Sequence, residues 1–219
     1  MKNPYRWLIY GLGMALLALG ITLNTKTGLG VSPIISVAYS VSQIFSLNFG
    51  DMTFLLYTLF VFVQLVLRDR SEWIATLLQI VVSLIFSRLL NLFDALIPYS
   101  DAEHSLAANA VLLAAAIFLT GLGIAMTVNM RLVPNPGDGI VQAIAEKIGR
   151  SQGDTKNIFD IGCVCTTVAV GLCLVGEVIG IGVGTVAAMI GVGRAVALAN
   201  HFLKDKMLAA AGFAARGEV

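Results

Sequence analysis

Charge is scarce in this 219-residue chain. Asp, Glu, Lys and Arg make up only 12% of it, about half the roughly 25% usual in a soluble domain. The 14 basic and 13 acidic residues nearly cancel, so no basic surplus invites nucleic acid and no acidic tail is present. Cysteine and histidine are rarer still, at three and two residues. Cys163, Cys165 and Cys173 share one apolar run, where positions two apart diverge on a helix and no His lies nearby, so no metal site is expected. No hydrolase triad, Walker loop or dinucleotide fingerprint occurs. Neither an enzyme nor a cofactor is expected.

What remains is apolar: 58% of the residues. A helix crossing a hydrocarbon core of about 30 Å needs roughly 20 such residues. Six segments qualify: Leu8–Leu23, Met52–Leu67, Trp73–Ile97, Leu106–Val128, Ile158–Val175 and Val178–Phe202. The first follows Lys2 and Arg6 as a signal peptide would, but no small-residue cleavage site follows it and later segments resemble it. Two further stretches, Pro33–Leu47 and Gly139–Ile148, are too short to span comfortably and read as broken or re-entrant helices. Each follows a backbone-breaking run: Gly28-Leu29-Gly30-Val31-Ser32, and Pro134-Asn135-Pro136-Gly137-Asp138.

Charge positions choose between six and eight crossings. Six place Lys2, Arg6, Arg68, Arg70, Arg131, Lys147, Arg150, Lys156, Lys204, Lys206 and Arg216 on one face, with Lys26 the basic exception opposite. Lys and Arg near span ends mark the cytoplasmic side, so both termini are expected inside, in a bacterial inner membrane. Eight short helices are the alternative.

The halves also match each other. A shift of 103 lays Gly20-Ile21 on Gly123-Ile124, Leu29 on Leu132, Pro33 on Pro136 and Gly50-Asp51 on Gly153-Asp154. With about three more residues inserted, Arg88 falls on Arg194. The chain divides into repeats 1–105 and 106–204 and a tail 205–219. Three spans per half would invert the second repeat, a layout many transporters share.

The breaks carry the candidate site. Gly30, Ser32 and Pro33 in one half, and Pro136, Gly137 and Asp138 in the other, leave non-helical backbone at membrane depth. Such backbone persists only where protein buries it or it lines a wet cavity. A short helix after each break points its electropositive N-terminus inward. Ser32 and Asp138 are natural capping residues there. Arg88 and Arg194, each inside a long apolar segment, are costly unless they face a cavity or a partner. Asp51 and Asp154 open spans as cap or dipole partners, and Asp160 is a candidate coupling or ion-pairing acid.

The run Gly11-Leu12-Gly13 through Gly20-Ile21, then Gly28-Leu29-Gly30-Val31-Ser32-Pro33, resembles the bacterial YczE/YyaS/YitT group of membrane proteins, in particular its YczE-like branch. The resemblance extends over the whole chain, with Pro-Asn-Pro-Gly-Asp-Gly at 134–139 and Gly-Asp at 153–154. It implies a multi-pass membrane protein and supplies no substrate or functional residues.

The expectation is an all-α integral membrane protein in contact with the lipid bilayer, passing a small anionic or zwitterionic solute between two inverted repeats. Arg88 and Arg194 would neutralise the solute near the midplane. A channel with opposed half-helices, a substrate-capturing subunit of an ATP-driven uptake complex and a non-transporting membrane factor are the rival readings, and assembly as a homo-oligomer is open.

Overall fold

A computed structural model describes residues 4–213, and all regular structure among them is helical. Eight α-helices follow in order: α1 (Pro4–Lys26), α2 (Pro33–Ile44), α3 (Phe49–Leu67), α4 (Trp73–Leu96), α5 (Leu106–Asn129), α6 (Pro136–Ile148), α7 (Gln152–Val175) and α8 (Val183–Ala210). All but α2 and α6 are long and apolar enough to cross a membrane. Lys2, Arg216 and the tail beyond residue 213 lie outside the described residues.

Local chemistry sets the boundaries. Pro33 and Pro136 occupy the first turns of α2 and α6, where a missing N–H costs nothing. Gly149 and Gly176 end α6 and α7 in the left-handed conformation that L side chains resist. The observed α7 starts six residues before the expected Ile158, because Ser151 accepts a hydrogen bond from the Asp154 N–H and caps it there. At the other end of the chain, Val178 lies in a glycine-broken loop, and α8 starts at Val183 and runs past residue 204 to Ala210. Its last turn, Met207-Leu208-Ala209-Ala210, is built of strong helix formers.

Contacts between helix ends fix their directions. Arg6, near the start of α1, donates from Nε to Met130 O and from Nη2 to Arg131 O, both at 2.7 Å, just past the end of α5. Helices α1 and α5 are therefore antiparallel. Lys26, ending α1, pairs with Asp94 near the end of α4 at 2.7 Å, so α1 and α4 are parallel and α3 opposes both. Asn129 near the end of α5 donates to Asn200 Oδ1 of α8 at 2.6 Å, and Gly191 of α8 abuts Ile117 of α5, so these two are parallel. Helix α2 thus adds no crossing. With eight crossings α1 and α4 would run oppositely, and Lys26 would not reach Asp94.

The packing is inside-out relative to a soluble protein. Large apolar side chains such as Leu55, Phe62, Val66, Ile74, Val111 and Val183 face outward, while Thr22, Ser36, Thr53, Gln64, Gln79, Thr167 and Thr185 are buried. Contiguous apolar surface of this extent requires a non-aqueous partner, here lipid, and α1 and α5 meet through the small residues Gly13, Gly20 and Gly123. Gln64 of α3 and Gln79 of α4 exchange reciprocal amide bonds of 3.0 and 2.9 Å. Gln64→Leu alone strands a buried amide and should cost about 1–3 kcal/mol. Leu at both positions should recover most of that loss, measured by denaturant unfolding in detergent micelles.

Candidate functional site

Both breaks turn back into the bundle. After α1 the chain folds inward, and its peptide groups are satisfied by protein. Ser32 N donates to Asn24 Oδ1 at 2.8 Å, Val31 N to Gly180 O at 2.9 Å, and Gly184 N to Leu29 O at 2.7 Å. Gly30, at φ +107°, has the Gly182 backbone pressed against it, a conformation and a clearance that only glycine meets. The second break is held alike, with Tyr10 Oη donating to Val133 O at 2.6 Å. Helix α6 then runs back to the Arg6 end, where Arg68 lies 3.8 Å from Glu146.

The N-termini of α2 and α6 converge on one cavity of about 40 Å³, room for roughly a few waters. Its polar lining is Ser32, Tyr57, Thr120, Asn135, Asp138, Lys156 and Asp160, and Leu17, Ile21, Ile124 and Val192 supply apolar wall. The Asn135 side chain caps α6 by accepting from Gly137 N at 3.0 Å. Asp138, expected as a cap, sits instead in the first turn, where a carboxyl group suits the positive end of the helix dipole. Ser32 makes no side-chain capping bond, which leaves the start of α2 uncapped toward the cavity.

Lys156 and Asp160 supply the strongest charges there. One helical turn apart on α7, they pair at 3.0 Å, with the Asp160 side chain 2% exposed and that of Lys156 35% exposed. Lys156 was expected on the cytoplasmic face. The earlier start of α7 places it a turn inside, on the face it shares with Asp160. The Lys-x-x-x-Asp spacing was the available signal, since i,i+4 residues share a helix face.

Of the expected site residues, Ser32, Pro33, Gly137, Asp138 and Asp160 line this cavity, and Gly30 and Pro136 frame its breaks. Arg88 and Arg194 do not line it. Arg88 points out of the bundle and pairs with Asp51 at 3.0 Å, and Arg194 lies on an exposed face of α8. Asp51 and Asp154 occupy first turns whose capping residues are Asn48 and Ser151.

Six crossing helices around a central cavity, with two half-helices aimed into it, define a multi-pass α-helical membrane protein. The model of DUF6198, a family of unknown function, matches residues 4–201, and the chain belongs to that family. The uncharacterized membrane protein YczE of Bacillus subtilis (strain 168) is 29% identical over 146 residues, 66% of this chain and 65% of YczE. The uncharacterized protein YyaS of the same organism is 23% identical over 141 residues, 64% of this chain and 69% of YyaS. The chain thus spans about two thirds of these relatives' lengths. No solved structure matches.

Proposed function

We propose that this protein is a secondary carrier, not an enzyme, and moves a small zwitterionic or anionic solute across a bacterial inner membrane. The observation carrying the reading is the convergence of two half-helix N-termini on one buried, charged cavity. Each helix N-terminus contributes about half a positive charge. With Lys156 they set positive groups against the carboxyl groups of Asp138 and Asp160, so a solute bearing both signs fits the lining best.

Inverted repeats are part of this reading, and paired contacts support them. The shift that lays Gly20 on Gly123 also lays Gly13 on Ala116. A methyl built at Gly20 would lie 2.8 Å from Ala116 O, and one built at Gly13 would lie 3.1 Å from Gly123 O. Lys26–Asp94 and Asn129–Asn200 are a second matched pair. Ser36–Thr167 at 2.6 Å and the approach of Gly139 to Gln64 are a third. Arg6, Arg68, Arg70, Arg131, Lys147, Arg150, Lys204 and Lys206 gather at the Arg6 end, which supports a cytoplasmic placement of that end.

The test is counterflow in proteoliposomes loaded with unlabelled zwitterionic metabolites. A carrier accelerates labelled uptake when its solute is present on the far side, whereas equal rates with and without trans solute mean a pore.

A further inference from the structure

The match between halves breaks at one place. Helices α3 and α4 pack closely: Gly50 lies against Ser87 O and Asn91, and Asp51 pairs with Arg88 at 3.0 Å. The shifts of 103 and 106 carry Gly50 to Gly153, Asp51 to Asp154, Ser87 to Gly193 and Arg88 to Arg194. Yet nothing lies within 4 Å of a methyl built at Gly153 or at Gly193, and among the described residues Asp154 and Arg194 form no ion pair. Asp154 instead accepts a hydrogen bond from Ser151 Oγ at 2.7 Å. Lys156 and Asp160 of α7 and Ala188, Met189 and Val192 of α8 line part of the cavity, so the splayed seam adjoins the binding site.

Resting on the carrier reading, we infer that the two seams are exchanging gates: the structure has the α3–α4 gate latched by Asp51–Arg88, and the alternate state latches α7–α8 through Asp154–Arg194 while α3–α4 opens. The ion pair fits the role because its side chains are 59% and 47% accessible, so a latch releases without leaving a fully buried charge unpaired. Gly153 and Gly193 fit it too. Glycine inside a helix is unfavourable, and here it leaves clearance for a contact this state does not make. Equal gates on inverted repeats let one site face each side in turn.

Spin labels test the exchange without a known solute. In a Cys163→Ala, Cys165→Ala, Cys173→Ala background in nanodiscs, labels are placed at the exposed matched pairs Leu55/Leu92 and Ile158/Leu198. Pulsed dipolar spectroscopy then reads both seams. Wild type should give a short α3–α4 distance and a long α7–α8 distance. Asp51→Asn should raise the population with α7–α8 axes about 8–10 Å apart by roughly two- to fivefold and lengthen α3–α4. Adding Arg194→Gln should cancel that shift, and the swap Asp51→Arg with Arg88→Asp, which keeps the pair, should restore the wild-type distances. Seam distances that ignore Asp51→Asn, or that change independently of each other, would overturn the gates. Counterflow without seam exchange sinks the gates and leaves the carrier; exchange without counterflow does the reverse.

Discussion

Lys156→Met should lower solute uptake at least about thirtyfold and destabilise the protein as well. The substitution leaves Asp160, 2% exposed, without its cation. Breaking a fully buried pair costs about 3–5 kcal/mol. Because Lys156 is a third exposed, about 1–3 kcal/mol is expected here. Removing both charges, in Lys156→Met with Asp160→Leu, should restore most of the stability, since an apolar pair of similar volume is often neutral. Uptake should stay abolished, because the solute's charged groups then lose partners worth about 2–5 kcal/mol. Unfolding in detergent and flux in proteoliposomes, measured on the same three proteins, separate the two effects. A double variant that is stable and still active would remove Lys156 and Asp160 from the site.

Gly123→Leu should give the largest stability loss of any single substitution considered. A Cβ there would lie 2.5 Å from Leu17 N and 2.7 Å from Gly13 O. Both obstacles are backbone of α1, so no side chain can rotate away and the helices must separate along their central contact. Overpacking a well-fitted interior costs about 1–3 kcal/mol even when side chains can adjust, and more is expected against rigid backbone. The readout is the folded fraction by size-exclusion chromatography and the unfolding midpoint. Gly11→Ala is the control. Gly11 also sits in α1, with nothing within 4 Å, and Ala there should be neutral or stabilising by about 0.5–1 kcal/mol.

The crossings were legible because their physics is local. A helix needs a fixed length of apolar residues to cross lipid, and the Lys and Arg residues clustered on one side, with Lys26 the exception, distinguished six crossings from eight. The breaks were legible as well, since Gly30, Pro33, Pro136 and Gly137 have few uses other than shaping backbone. Side-chain direction was not. Arg88 and Arg194 stand out in sequence as isolated charges among apolar neighbours, but rotation about a helix axis decides whether a residue faces cavity or surface. Around Arg194, the small residues Gly191, Gly193, Ala195 and Ala197 blur that rotation. Lys156 escaped notice for the opposite reason: it lies near the basic group around Lys147 and Arg150, and a helix start six residues earlier is enough to carry it inside.

The same limit applies to the caps. Asn48, Asn135 and Ser151 each lie three residues before an acid. In each case the acid is the more conspicuous residue, although it only follows the cap into the first turn.

On the proposed reading, the cavity between the two half-helices binds a small solute through Lys156. A thermal-shift screen of the purified protein in nanodiscs, against zwitterionic and anionic metabolites, tests it most directly. A true ligand at a hundred times its Kd stabilises by about 2.7 kcal/mol, a shift of several degrees. One chemical class, most strongly the zwitterions, should raise the melting temperature of wild type and leave the Lys156→Met, Asp160→Leu variant unmoved. Hits that stabilise both proteins equally would contradict it, as would a screen in which no charged metabolite shifts the wild type.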